Sequence, residues 1–397
     1  MMNADAAKLI SAELALAGFS TEQEQCLLQL ERRRITPHTE LQQMEFLFLL
    51  HGKPCFARGE LTGLSGKAKS GKTFVSSILM ALCFRSQVLS VERIEQKPLH
   101  VLWYDTEQSE ESTQDILRNR IIPLTEIPED QFPMDMLDVF NVRGELYSTR
   151  LALLELAVER YHPDLVILDG IRDLVADIND GVVAQDTVER LMRLASQNRC
   201  AIVCVLHQNK SQEDRNLRGW IGTELKNKAF EVYECTKSSE RIFSWSQTDT
   251  RKYDIAEQLQ FSVNDNGLPY ECTPEELLEA KYQKQRKLAD KMQSEGRNAK
   301  LPDFNPKYYH MEGRKHVFDV QLLFTDVMTP GQEYEEEILI KLLYDKANII
   351  KPKIGKEVIA QGVREKVILE SRSALNGTKK LYLLPKSDTA EEQCLPF

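Results

Sequence analysis

The sequence lacks several things at once, and each absence narrows its class. None of its eight cysteines forms a Cys-x-x-Cys pair; they stand at 26, 55, 83, 200, 204, 235, 272 and 394. Most sit in apolar runs, such as the stretch from Cys200 to Cys204. Thiols so placed are expected to be core residues in a reducing compartment, with neither disulfides nor a metal site. No apolar run approaches the ~20 residues that span a bilayer. The stretch 46–50 is far too short, so no membrane partner is expected. The opening residues carry no basic stretch leading into an apolar core, which argues against a secretory signal. A cytoplasmic protein is the expectation. No internal repeat is visible. A general excess of positive charge is missing too, and the net charge of −10 argues against blanket affinity for nucleic acid. That average hides a local exception. Over residues 346–385, nine Lys and Arg stand against three Glu, a net of +6.

What is present reads as an ordinary globular protein, 42% apolar and 28% charged. Its 397 residues have room for two domains and a smaller third. Residues 1–43 read as a polar, helical segment with no recognisable chemistry. Over 44–272, short apolar runs alternate with amphipathic helical patterns, the mark of an α/β domain with a largely parallel sheet. Strands are expected at 60–65, 100–105, 164–169 and 200–206, and helices at 72–84, 149–161 and 186–196. A strand meander follows at 230–236, 241–247 and 258–263, with the turn signal Asn264 to Gly267. Residues 273–314 read as a charged helical linker, 315–385 as a last folded unit, and 386–397 as an acidic tail.

The strongest local signal is Gly66, Lys67, Ala68, Lys69, Ser70, Gly71, Lys72 and Thr73, which satisfies G-x-x-x-x-G-K-[ST]. An apolar run feeds it and a helical pattern follows it. Glycines let backbone N–H groups wrap phosphates, and the helix N-terminus adds a positive dipole end. In such a loop Lys72 neutralises β- and γ-phosphate oxygens, and the Thr73 hydroxyl holds Mg²⁺. ATP with Mg²⁺ is therefore the expected cofactor pair. A second apolar strand ends in Asp169, placed to act from the Mg²⁺ side. A third runs out into Asp105, Thr106, Glu107 and Gln108. A water-attacking enzyme needs a carboxylate near the γ-phosphate; Glu107 is the choice as general base and Asp105 the reserve. His207 and Gln208 follow a fourth strand and are candidates to sense the γ-phosphate at the same sheet edge.

This set of motifs resembles the RecA-type P-loop ATPase core, and within it the RepA-like AAA-family ATPases of plasmids and mobile elements, relatives of hexameric helicases. The resemblance covers about 44–272 and implies a RecA-like fold, a homo-oligomeric hexameric ring and DNA as partner. It places Lys72 and Thr73 on the nucleotide, Glu107 as base, Asp169 as the Mg²⁺-side acid, and His207 or Gln208 as sensor. It also implies DNA contacts from Lys210, Arg215 and Arg218, in the place of a DNA-binding loop. Arg251, with Lys252 as understudy, would be a finger reaching into the neighbouring subunit. Lys67 is shared with the ParA/MinD class, a partition switch, though Ala68 and Lys69 stand where that class has two glycines. A KaiC-like regulatory ATPase and an ATP-controlled DNA-binding initiator are the other readings.

In the last unit, helical patterns at 317–328, 334–344 and 353–364 precede two strand-like runs, 367–371 and 380–384. Asn376-Gly377 between them is a hairpin signal. Three helices and a hairpin resemble a winged helix-turn-helix. The local positive charge falls on its third helix and wing, with Lys353, Lys356 and Arg364 as candidate phosphate contacts. A protein-docking winged helix is the alternative.

Overall fold

The computed structural model describes residues 20–208, 219–238, 241–294, 304–313, 315–349, 351–372 and 379–385. The chain divides into two units after residue 45. In the first, helix α1 (Thr21–Glu31) opens on a capping box. Ser20 Oγ accepts from Gln23 N at 3.3 Å, and Gln23 Oε1 accepts from Ser20 N at 3.0 Å. Among the described residues of the expected helical segment, the helix stops at Glu31. Pro37, with no N–H to give and a restricted residue before it, lies in the irregular stretch that follows.

The second unit begins with β1 (Phe46–Leu50), β2 (Lys53–Ala57) and β3 (Leu61–Gly66), then α2 (Lys72–Leu82). Short strands β4 (Gln87–Val88) and β5 (Val91–Arg93) lead to β6 (Val101–Asp105) and α3 (Glu110–Ile116). A π-helical turn, Leu117–Ile121, joins α3 to α4 (Ile122–Thr125). Next come β7 (Leu137–Asn141), α5 (Tyr147–Tyr161), β8 (Leu165–Asp169), α6 (Gly181–Asn198), β9 (Ala201–His207) and α7 (Gly219–Lys228). The meander is β10 (Glu231–Lys237), β11 (Phe243–Thr250), β12 (Leu259–Val263) and β13 (Pro269–Glu271).

Among the described residues these strands build a nine-stranded sheet in the order β13-β12-β11-β10-β3-β9-β8-β6-β7. From β10 to β7 every pairing is parallel, and β11 to β13 add on antiparallel. A mixed α/β unit with so large a parallel sheet fits a RecA-like core. The parallel strands are covered on both faces, as the βαβ crossovers require. Alternate residues of one strand therefore enter different cores. Val101 and Trp103 pack with α2 and the small sheet, while Leu102 and Tyr104 pack under α5 and α6. The four strands expected before the meander lie within one residue of their expected ends. Missing from the sequence reading is the antiparallel sheet β2-β1-β5-β4. Two of its strands are only two or three residues long, too short for any periodicity. Six of the seven described cysteines are buried, and burial pushes the thiols of Cys200, Cys204 and Cys235 up to about 12.

Helix α8 (Pro274–Ser294) follows the sheet, and then β14 (Tyr309–Glu312) and β15 (Lys315–Phe318) pair as a hairpin. The division expected at 315 falls inside that hairpin. Tyr308 and Phe318 belong to one C-terminal core with α9 (Val320–Val327), β16 (Glu333–Glu335), α10 (Glu336–Ala347) and α11 (Pro352–Arg364). Residues 317 and 318, expected to start a helix, instead end β15, because Asp319 caps α9, accepting from Leu322 N at 2.9 Å. β17 (Leu369–Arg372) and β18 (Lys380–Leu383) complete a sheet in the order β16-β18-β17. The turn expected at Asn376-Gly377 and the tail 386–397 lie outside the described residues. Gly362 lets α11 touch α9: a Cβ there would meet Phe324 Cε2 at 2.3 Å.

One buried acid ties the small sheet to the large one. Glu231 accepts from Phe56 N at 2.5 Å, Tyr233 OH at 3.0 Å, and Thr62 Oγ1 and Gln247 Nε2 at 3.3 Å. Phe56 stacks on Tyr233, centroids 5.4 Å apart. Glu231→Ala leaves those donors buried and unpaired, so urea denaturation should show a loss of about 3 kcal/mol. A loss under ~1 kcal/mol would mean that water replaces the carboxylate.

Candidate active site

Strands β3, β9, β8 and β6 lie side by side, and their carboxyl ends finish at one edge. Gly66 pairs with His207, Asp169 with Val205, and Asp105 with Asp169. Ligands of open α/β sheets bind at this edge. Here it opens into a cleft of about 450 Å³ whose walls include Ser70, Gly71, Lys72, Thr73, Glu107, Asp169 and His207.

Three side chains across the cleft form a line. Lys72 is buried, and its Nζ donates to Gly66 O at 3.1 Å and Lys67 O at 3.0 Å. The same ammonium lies 3.1 Å from His207 Nδ1. An ammonium has only donors, so Nδ1 must accept and the ring proton sits on Nε2. That Nε2 faces Glu107 Oε2 at 3.5 Å. The hydrogen bond from His207 holds the Glu107 carboxyl below its usual range; burial opposes this, and Lys72 and Arg172 add to it. Burial lowers Lys72, while Cys235, Glu107 and Asp169 act in the other direction.

The acids around this line are not interchangeable. Asp105, the reserve base, is fully buried and already engaged. Its Oδ1 accepts from Glu107 N at 3.0 Å and Gln108 N at 3.1 Å, and its Oδ2 accepts from Thr113 Oγ1 at 2.6 Å. It shapes the turn that presents Glu107 and does not face the cleft as a free base. Asp169 does line the cleft. Burial raises its carboxyl to about 7, with Asp105 and Glu107 adding to the rise. Gly170 has φ 109, and a Cβ there would meet Thr106 Oγ1 at 2.2 Å and Glu107 Cγ at 2.9 Å. Only glycine lets the end of β8 pass this close beneath the Glu107 turn.

The remaining expected residues scatter. Gln208 turns to β10, donating to Glu234 Oε1 at 2.7 Å. It lines a neighbouring pocket with Lys67 rather than this cleft, so of the two sensor candidates only His207 reaches Lys72 and Glu107. Arg251 lies away from the cleft. It sits past the end of β11, at the opposite edge of the sheet, where Thr250 pairs with Glu231. Its guanidinium donates to Asn227 O at 2.9 Å, Ala229 O at 3.1 Å and Lys228 O at 3.4 Å. Arg251 thus closes the C-terminus of α7 in its own chain. Lys210, Arg215 and Arg218 lie outside the described residues.

The sequence reading gave no role to Gln108, Phe74, Arg120 or Phe243, which also line the cleft. The Arg120 guanidinium carbon lies 4.0 Å over the Phe74 ring. Arg120 belongs to the π-helical turn, a local widening frequent at functional sites and carried by no motif.

Thr73 and Asp169 are the residues that would hold Mg²⁺. The fit is electrostatic: a buried acid beside two other carboxylates gains most from a cation. Without one, the folded protein keeps a proton on Asp169 that an unfolded chain releases near pH 4. The group's contribution to stability is then full below that range and is lost as pH rises through about 7. Asp169→Asn should accordingly raise the melting temperature of the ligand-free protein more at pH 8 than at pH 5. An equal effect at both pH values would show that Asp169 is not held protonated.

Residues 49–213 match a family model described as an AAA domain. No curated protein matches the sequence. Among solved structures, a KaiC-like protein from the hyperthermophilic archaeon Pyrococcus horikoshii OT3 is similar over 56% of this chain and 93% of its own, at 11% identity and a TM-score of 0.41. A likeness so distant carries nothing further. Among the described residues no helix is long and apolar enough to cross a membrane. The AAA-domain match, together with a phosphate loop at the edge of a largely parallel sheet, supports a P-loop ATPase.

Proposed function

We propose that the protein is an ATP-hydrolysing motor that works on DNA, a ring-forming RepA-like helicase or translocase of a mobile element. The observation that carries the hydrolytic part is the line Lys72–His207–Glu107. Lys72 donates to two loop carbonyls and lies against His207 Nδ1. Phosphate oxygens are better partners for an ammonium than carbonyls are, so ATP draws Lys72 away. His207 Nδ1 is then free, and the imidazole can turn toward the γ-phosphoryl group and release Glu107. Only a released Glu107 can take a proton from the attacking water. Mg²⁺ at Thr73 and Asp169 would neutralise charge on the phosphate oxygens.

Support for DNA comes from the C-terminal unit. After its opening hairpin its order is helix, strand, two helices and two strands, the succession of a winged helix-turn-helix. Lys353, Lys356 and Arg364 lie on the exposed side of α11, and Pro352 starts that helix. A second reading, a KaiC-like regulatory ATPase that docks on protein, is favoured by ion pairs. Lys356 meets Glu336 at 2.7 Å, Lys379 meets Glu335 at 3.0 Å, and Lys380 meets Glu370 at 2.9 Å. Paired lysines have less to offer phosphates.

Three measurements test the proposal. Glu107→Gln should bind ATP as the wild type does and stop turnover; a near wild-type rate removes Glu107 as the base. Reversing Lys353 and Arg364 to Glu should weaken duplex binding and flatten its salt dependence, each lost phosphate contact removing about 0.9 from the log–log slope. An unchanged slope and affinity favours the protein-docking reading. ATPase rates with single-stranded, duplex or no DNA, measured beside native mass with nucleotide, decide whether a ring works on DNA.

A further inference from the structure

Among the described residues, few buried side-chain polar atoms go without a hydrogen bond, and three of them belong to residues lining the one cleft: Ser70 Oγ, Gln108 Nε2 and Arg120 Nε. A buried polar atom without a partner is costly. Three in one cleft, all able to donate, point to a ligand rich in acceptor oxygens. Ser70 belongs to the phosphate loop itself. Gln108 does not, and its position is fixed with unusual care. Its N–H is held by Asp105 Oδ1 at 3.1 Å, and its carbonyl accepts from Asn141 Nδ2 at 3.0 Å. Asn141 also donates to Thr113 Oγ1 at 2.7 Å, which in turn donates to Asp105. A closed loop of side chains thus grips the backbone of Gln108 from both sides and leaves its amide N–H₂ group without a partner.

We propose that Gln108 is a further catalytic residue whose amide donates to oxygens of the γ-phosphoryl group. This rests on the reading of the cleft as an ATPase site. The placement follows from its neighbour. Glu107 stands at the end of the Lys72–His207 line, the end where on that reading the terminal phosphate would lie, and one carboxylate, Asp105, sets the N–H groups of both residues. A donor there meets charge that grows on the phosphoryl oxygens as the bond to the leaving group breaks, so it serves the transition state more than the ground state. ADP, which has no γ-phosphoryl group, gives Gln108 nothing to contact.

The test is a comparison of nucleotides on the full-length protein. Gln108→Ala should lower kcat by roughly 10²-fold. It should weaken ATP binding about tenfold and leave ADP binding and the melting temperature as in the wild type. Should Gln108→Ala not fold, Gln108→Glu, of the same shape, should show the same loss of ATP over ADP, enlarged by charge repulsion. Equal weakening of ATP and ADP, or a kcat within twofold of wild type, overturns the assignment. A wild-type protein that binds ATP without hydrolysing it sinks the hydrolytic reading instead. The ATP-to-ADP affinity ratio of the variant would still decide whether Gln108 meets the γ-phosphate.

Discussion

The register of β8 between β6 and β9 governs what the cleft can do. Parallel hydrogen bonding sets Asp105 opposite Asp169, and brings His207 to the level of Gly66 at the mouth of the phosphate loop. A slip of one residue would turn each of these side chains to the other face. The slip is prevented by burial: Val101, Trp103, Leu165 and Ile167 belong to one core, and Leu102, Tyr104, Val166 and Leu168 to the other. Hydrophobic packing on both faces of the sheet thereby fixes the positions of charged groups at its edge.

That register also brings three acids together, and the surroundings separate their tasks. Asp105 accepts three hydrogen bonds from its own loop and the following helix, and so works as a scaffold. Asp169, desolvated beside it, keeps a proton until about pH 7 and stands where a cation would displace that proton. Glu107 is half exposed and tied to His207. Similar carboxyl groups thus become a turn-former, a cation site and a base through burial and partners alone. The lock on Glu107 has a further consequence, because it links the base to the same lysine that the phosphates must claim.

At the opposite edge of the sheet the chemistry is purely structural. Glu231 gathers donors from β2, β3, β10 and β11, and Arg251 gathers the last carbonyls of α7. Of the two, only Arg251 had been given a role from the sequence. Each is satisfied by main-chain or side-chain partners of its own unit.

The phosphate loop, the acid-ended strands and the parallel sheet were legible because each rests on a local pattern: glycine spacing, an apolar run before an acid, a period of two or of 3.6. The same holds for α11, whose apolar spacing and leading proline are contained within itself. What stayed hidden depends on residues far apart in the chain. Asp105 read as a spare base until Thr113 and two N–H groups were seen to occupy it. Gln208 read as a sensor until Glu234, across a different strand pair, was seen to hold it. Arg120 and Gln108 had no motif, because a π-helical turn and an unpaired amide are properties of packing. Sequence determined which groups could reach the carboxyl edge of the sheet. Tertiary structure decided which remained free, since a donor or acceptor is available to a ligand only when no neighbour in the fold has already taken it.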